Sequence, residues 1–294
     1  MRVAITGAHG FTGRYIVEEL SRCGIASVSI EADLLDPSAV ANAIAAIKFD
    51  AVIHLAGIAF AGSGDWQSFF KVNQIGTYNL LDAIANERPG TRCVIASSGQ
   101  VYGAQPTGLI SEDMVCAPIG TYALSKYTME LGASLWRDRL EIIITRPFNY
   151  TGIGQETRYL IPKIIGHVAR KAKIIELGNI FVLRDFGDVR SVAKAYRELV
   201  TIKTSELKNG GLDQFIVNIA SGKVRSIEYI LARLEHFSGH RPNVIINPAF
   251  VRPNEVETLG GSIARLQRLC PTWSPNTLDD TLRWMLADAM DRVS

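Results

Sequence analysis

The chain has 294 residues, with 31 Lys and Arg against 29 Asp and Glu and an apolar fraction of 47%. A net charge of +2 with scattered rather than clustered Lys and Arg leaves no basic footprint for nucleic acid. No apolar run approaches the ~20 residues needed to cross a bilayer, and no charged-then-apolar leader precedes the first β run, so a cytoplasmic protein with no membrane partner is expected.

Cys23, Cys93, Cys116 and Cys270 are widely spaced, without a Cys-x-x-Cys pair, and the five histidines form no ligand pattern. Free thiols and no metal site are expected.

Taken in order, Arg2-Val3-Ala4-Ile5-Thr6 is a short β run that leads into Gly7-Ala8-His9-Gly10-Phe11-Thr12-Gly13, followed by an amphipathic helix over about 14–22. Glycines three apart between strand and helix suit a turn that needs positive φ, a close approach to a pyrophosphate, and a helix N-terminus that attracts its charge. A second β run covers 26–30 and runs into Glu31-Ala32-Asp33-Leu34-Leu35-Asp36, as if two strand ends of a full dinucleotide fold were compressed into one. Glu31 is suited to a ribose hydroxyl, favouring NAD, and Arg14 to a 2′-phosphate, favouring NADP; both stay open.

Helix signals run over 37–48, and a buried strand at 50–57 ends in Leu55-Ala56-Gly57, small enough to let a cofactor lie close. A helix from 70 to about 86 carries Asn73, and the strand Cys93–Ser98 delivers Ser97 and Ser98 at its C-terminal end. Strands alternating with helices at this spacing predict a parallel, doubly wound sheet, whose ligands sit at the carboxyl ends of the strands.

The helix predicted over 121–138 carries Tyr122 and Lys126, four residues apart and therefore on one face. A phenol with an ordinary pKa near ~10 needs help to exchange protons at neutral pH, and a neighbouring cation favours its ionised form. A serine hydroxyl nearby would hold a substrate oxygen while the tyrosine gives or takes its proton. A strand at 141–145 follows, then loops and short helices over 148–172, a β run at 174–177, a strand returning to the sheet near 215–221, and helices at 226–237, 262–269 and 278–290.

In this order, Gly7, Gly10 and Gly13, Asp33-Leu34, His54-Leu55-Ala56, Asn73 with Gly76-Thr77, Ser97-Ser98 before Val101-Tyr102-Gly103, Tyr122 with Lys126, and Arg146-Pro147-Phe148-Asn149 resemble the extended short-chain dehydrogenase/reductase family of sugar-nucleotide epimerases, dehydratases and reductases. The match runs nearly end to end. It implies an α/β, Rossmann-type NAD(P)-binding domain over 1–148 and a smaller, interleaved sugar-nucleotide-binding domain over 149–294. It also implies an NAD or NADP cofactor held by Gly7, Gly10, Phe11, Thr12, Gly13, Asp33, Leu34, Leu55, Ala56, Gly57, Asn73, Ser97, Tyr122, Lys126 and Arg146. Tyr122 would be the general acid–base residue, Lys126 would bind the nicotinamide ribose and lower the tyrosine's pKa, and Ser98 would complete the set. Ser97 would line the nicotinamide pocket, Asp33 would meet the adenine, and Asn73 would be structural near the site. On the substrate side the resemblance implies Ser98 and Asn149 at the sugar, Arg184 at the diphosphate, and Arg252 with Glu255 at the nucleotide ribose, an arginine fork being suited to phosphate oxygens.

The family's 4,6-dehydratases follow their Ser or Thr with an Asp-Glu pair; here Gly99 and Gln100 stand there, and neither shuttles a proton at neutral pH. The segments 146–155, 184–190, 218–223 and 252–255 most resemble GDP-4-keto-6-deoxy-mannose reductases. The expectation is reduction of the C4 keto group of a nucleotide-linked 4-keto-6-deoxyhexose in deoxysugar biosynthesis, with GDP favoured by resemblance alone. A nucleotide-sugar 4-epimerase with tightly held NAD is the nearer alternative, and a non-catalytic dinucleotide sensor the remote one. Apolar excess on the helices around 78–85 and 121–136, with the family's habit of pairing through them, predicts a homodimer.

Overall fold

The computed structural model describes residues 1–59, 65–105, 108–205, 216–251 and 256–293. Its centre is a parallel sheet built from β1 (Arg2–Thr6), β2 (Ala26–Ser29), β3 (Ala51–His54), β4 (Arg92–Ala96), β5 (Glu141–Pro147) and, returning late in the chain, β9 (Ile216–Ile219). Their order across the sheet is β2-β1-β3-β4-β5-β9.

Alternation along the strands builds two cores at once. Val3, Ile5, Ile53, Val94 and Ile143 point to one face, where Ile16 and Leu20 of α1 (Phe11–Arg22) and Val192, Tyr196 and Leu199 of α7 (Val189–Thr201) cover them. Ala4, Val52, Cys93, Ile95, Ile142 and Ile144 point to the other. There they meet α2 (Pro37–Ala46), α4 (Gly76–Glu87) and α5 (Thr121–Ala133) through Val40, Ile44, Leu80, Ile84 and Met129. A sheet buried on both faces needs apolar side chains at consecutive positions, which is why these strands read as continuous apolar runs. The Asp36 side chain caps α2, accepting from Ser38 N at 2.9 Å and Ala39 N at 3.0 Å, with Pro37 at the first helical position.

The expected compression after the second strand is present: β2 is the edge of the sheet, and the chain turns directly through 31–36 into α2. The helix expected at 70–86 is preceded by one turn, α3 (Trp66–Phe69), and opens with a π-helical stretch, Phe70–Ile75, that contains Asn73. α5 ends earlier than expected, at Ala133, and tightens into a 3₁₀ turn over Ser134–Trp136.

The second half forms its own core where α6 (Leu160–Ala169), α8 (Ile227–Ser238) and α10 (Leu278–Asp291) pack on β7 (Ile174–Leu177) and β8 (Leu183–Asp188). β8 pairs with β6 (Asn149–Thr151), β10 (Val224–Ser226) and β12 (Thr258–Leu259), and β11 (Asn243–Ile246) pairs with β7. α7, an element the sequence reading does not anticipate, packs on the first sheet rather than here. Together with β9 and Leu266, Leu269 and Trp273, the first two from the short helix α9 (Ala264–Leu269), it carries the chain back across the division expected at residue 148. No disulfide joins the four cysteines, and no helix among the described residues is long and apolar enough to cross a membrane.

α4 and α5 approach closely at Gly132, where an added Cβ would fall 1.7 Å from the Tyr78 hydroxyl. That hydroxyl donates to the Thr128 carbonyl at 2.8 Å. Gly132→Ala forces the Tyr78 ring off this bond and should lower stability by about 1–3 kcal/mol, read as a reduced urea midpoint with unchanged slope. An unchanged midpoint would show that the contact yields freely.

Candidate active site

The strand register sets the site. Thr6 stands beside His54, His54 beside Ile95, and Ala96 beside Thr145, so β1, β3, β4 and β5 end at one edge. The chain leaves β1 outward to β2 and returns on the other side to β3, which opens a crevice between the ends of β1 and β3.

The glycine loop lines that crevice. Gly7 has φ of +70°, and an added Cβ there would meet Ala56 N at 3.1 Å. A Cβ on Gly13 would fall 2.2 Å from the Gly7 carbonyl oxygen, so the loop closes on the helix only with glycine there. Phe11 and Thr12, expected in the loop, already form the first turn of α1. Gly10 caps that helix with no side chain bonded to its first amides and no acid in its first turn, which suits a pyrophosphate. Across the crevice, a Cβ on Gly57 would come within 2.8 Å of Asn73 Oδ1 and 3.3 Å of Lys126 Nζ. These residues fit a dinucleotide laid from the glycine loop to Lys126.

Asp33 is exposed beside the buried Leu34, its carboxylate accepting from Leu35 N at 2.9 Å. Leu55 and Ala56 donate their amides to the Thr6 hydroxyl at 3.2 and 3.1 Å, which fixes the wall of the crevice. Glu31 stands 3.1 Å from His9 of the glycine loop, whereas Arg14 reaches over Gly154 on the other side of α1.

Tyr122 and Lys126 lie one turn apart on α5, both buried. The Ser98 hydroxyl stands beside the phenol, and Lys126 Nζ donates to the Ala96 carbonyl at 2.9 Å. Burial pushes the Tyr122 phenol up to about 12 against the opposing pull of Ser98. Burial drives Lys126 down to about 8, and Glu130 opposes that fall. The expected depression of the Tyr122 pKa by Lys126 is not found: burial raises the phenol, the opposing pull comes from Ser98, and Tyr122 keeps its proton at neutral pH. His54, between the hydroxyls of Thr6 (2.6 Å) and Thr77 (2.9 Å), is held neutral by burial and by Lys126, with its pKa lowered to about 3.

Residues 3–220 match the NAD dependent epimerase/dehydratase family. The chain belongs to this family. It is 31% identical over 274 residues to GDP-6-deoxy-D-talose 4-dehydrogenase of Aggregatibacter actinomycetemcomitans, covering 90% of each chain. To GDP-6-deoxy-D-mannose reductase of Pseudomonas aeruginosa it is 30% identical over 308 residues, covering 99% of this chain and 98% of the relative. Among solved structures, RMD from Pseudomonas aeruginosa complexed with NADPH superposes with a TM-score of 0.88 at 29% identity, over 99% of this chain and 98% of that one. The protein is thus an NAD(P)-dependent enzyme of the epimerase/dehydratase family.

Within this epimerase/dehydratase fold, the remaining expected residues take the following places. Asn73 is fully buried; its Oδ1 accepts from Ile58 N at 2.8 Å and its Nδ2 donates to Ser125 Oγ at 3.1 Å, so it braces the β3 end against α5. Ser97 turns its hydroxyl onto Glu130 rather than into the crevice. Arg146, expected at the cofactor, is buried with its guanidinium on Glu130 at 2.6 Å and over the Tyr102 ring at 4.7 Å. Asn149 pairs with Phe186 of β8, and Arg184 reaches the Leu183 and Glu257 carbonyls at 3.0 and 3.1 Å. Arg252 and Glu255 lie outside the described residues.

Sequence reasoning missed Glu130 and Tyr150. Continuing the four-residue spacing one turn past Lys126 reaches Glu130, so the first was within reach. Tyr150 follows the expected Asn149, but nothing in its spacing foretells that its hydroxyl meets Thr12 Oγ1 at 2.7 Å or that its ring stacks on Phe11.

Gly13→Ala puts a methyl group into the Gly7 carbonyl and should weaken NAD(P)H binding by about tenfold or more, measured by quenching of protein fluorescence. Unchanged affinity would remove the glycine loop from the cofactor site.

Proposed function

We propose that this protein is an NAD(P)H-dependent reductase acting on the C4 keto group of a nucleotide-linked 4-keto-6-deoxyhexose, with GDP as the favoured nucleotide. One observation carries the reading: a Ser98–Tyr122–Lys126 cluster in which Gly99 and Gln100, rather than an acid–base pair, follow Ser98. Elimination of water needs such a pair, and the first position after Ser98 is tight for any side chain: a Cβ on Gly99 would meet the Phe148 ring at 3.0 Å. The two curated relatives support the sugar class, since both are named for GDP-linked 6-deoxyhexoses and for oxidation or reduction.

The nicotinamide, when bound, supplies the hydride to the sugar carbon. Tyr122, protonated at neutral pH, gives its phenolic proton to the oxygen that gains charge as the carbonyl is reduced. Ser98 donates a hydrogen bond to the same oxygen and holds it against the phenol. Lys126, anchored on the Ala96 carbonyl, stabilises the phenolate left behind.

Assay against a panel of 4-keto-6-deoxy sugar nucleotides with NADH and NADPH tests the reading. Cofactor oxidation that requires the GDP-linked keto sugar is expected; interconversion of sugars without net cofactor consumption would make the enzyme a 4-epimerase instead. Tyr122→Phe should keep NAD(P)H affinity and lower kcat by a factor on the order of 10², and turnover within a few-fold of wild type would overturn the acid assignment.

We further propose a cytoplasmic homodimer paired through α4 and α5. Leu124, Leu131 and Leu135 on and just after α5 and Ile75 beside α4 are exposed, Leu135 by 76%, and apolar side chains on one face favour a covering partner. Sedimentation at micromolar concentration should give twice the monomer mass; a clean monomer would refute the pairing.

A further inference from the structure

Tyr122, Lys126 and Glu130 form a row at i, i+4 and i+8 on the buried side of α5. The third member is as enclosed as the other two, with 6% exposure, and its carboxylate is bound on two sides. Arg146 of β5 grips it through Nε at 3.0 and 3.2 Å and Nη2 at 2.6 Å. The Ser97 hydroxyl, at the end of β4, donates to it from the other side. Lys126 bonds the carbonyl of Ala96, the residue before Ser97, and Ser98 is the residue after it. Three consecutive residues of one strand end therefore face the helix row: Ala96 and Ser97 are hydrogen-bonded to Lys126 and Glu130, and Ser98 stands beside Tyr122.

We propose that Glu130 is a positioning residue of the catalytic cluster: clamped by Arg146, its carboxylate locks the β4 end against α5 and supplies the negative charge that keeps Lys126 an ammonium ion. The inference rests on the reading of Tyr122 and Lys126 as the catalytic pair. The geometry explains why both charges of the Glu130–Arg146 pair are buried so near a lysine. An ammonium enclosed without a counter-charge would lose its proton near neutral pH, and a neutral amine cannot stabilise a phenolate. Arg146 fixes the carboxylate in two directions so that the negative charge stays at one place. The other groups facing this cluster are His54 from β3, which is neutral, Tyr122 on the same helix, and Tyr102 and Cys116, which face Arg146. Burial keeps the Tyr102 and Cys116 groups protonated by raising their pKa values. Glu130 is thus the anionic group acting on Lys126, and it resists the effect of burial there.

The sign of the effect separates this role from a merely structural one. Loosening the site would admit water and raise the Lys126 pKa toward that of an exposed lysine. Removing a counter-charge lowers it. The full-length protein, labelled with lysine carrying ¹³C at Cε, is titrated by NMR, with Lys126→Arg identifying the resonance. Wild-type Lys126 should titrate near 8, and Glu130→Gln should move the midpoint down by about one pH unit. Because that variant leaves Arg146 buried and unpaired, Glu130→Gln combined with Arg146→Met is measured beside it and should shift Lys126 in the same direction. A midpoint that stays or rises in whichever variant folds would overturn the proposal.

Catalysis supplies the second readout. The alkaline limb of kcat, where activity is lost as Lys126 deprotonates, should move to lower pH in Glu130→Gln, with KM for the cofactor little changed, and Glu130→Asp should restore most of it. A limb that does not move while Lys126 does would remove the catalytic part of the inference. Absence of turnover by wild type on every keto sugar would sink the reductase reading alone, since the NMR titration still decides what Glu130 does to Lys126.

Discussion

Burial of the central sheet on both faces is the constraint on which everything else depends. With alternate side chains of β1, β3, β4 and β5 locked into two separate cores, a slip of one residue in any strand would exchange its two faces. The register is therefore fixed, and with it the level at which each strand stops. Thr6, His54 and Ala96 end β1, β3 and β4 at one edge while β5 runs on past Thr145 to Pro147, and the glycine loop, Gly57 and the Ser97-Ser98 pair follow from that alignment.

Burial then sets the chemistry. Tyr122 and Lys126 are pushed in opposite directions, the phenol toward holding its proton and the ammonium toward losing one. Left to desolvation alone, both would drift to neutral forms. Breaking a buried pair such as Glu130–Arg146 by removing one member costs about 3–5 kcal/mol, yet replacing both by well-packed apolar groups is often neutral. Stability alone gives little reason for such a pair; what it holds in place gives a better one.

How much of this could be read from the chain alone follows from the range of the interactions. The strand–glycine loop–helix unit, the β4 end with its serines, and the spacing of Tyr122 and Lys126 are local patterns, and each is found as expected. β9 was legible because Ile216, Val217 and Ile219 make it largely apolar, as a strand buried on both faces must be. α7 was overlooked although Val192, Tyr196, Leu199 and Val200 carry a helical period, because Arg184 to Val189 drew attention as a binding segment; in the fold, Asp188 of that segment caps α7, accepting from Arg190 N at 2.7 Å. Arg146 and Ser97 were expected in the crevice, but their partner Glu130 is contributed by a different element. Only tertiary packing reveals where a guanidinium or a hydroxyl is turned.

Three contacts join the start of α1 to the segment that follows β5. Phe11 and Thr12, in the first turn that follows the glycine loop, stack on and hydrogen-bond to Tyr150, and Tyr15 donates to the Ile153 carbonyl at 2.7 Å. The wall that would cradle a pyrophosphate is thereby riveted to the strand β6, next to Asn149. A shift of α1 would strain these contacts. Any coupling between the two occupancies would run through these contacts, and it would be reciprocal: whatever the dinucleotide did to the affinity for the second ligand, that ligand would do equally to the dinucleotide.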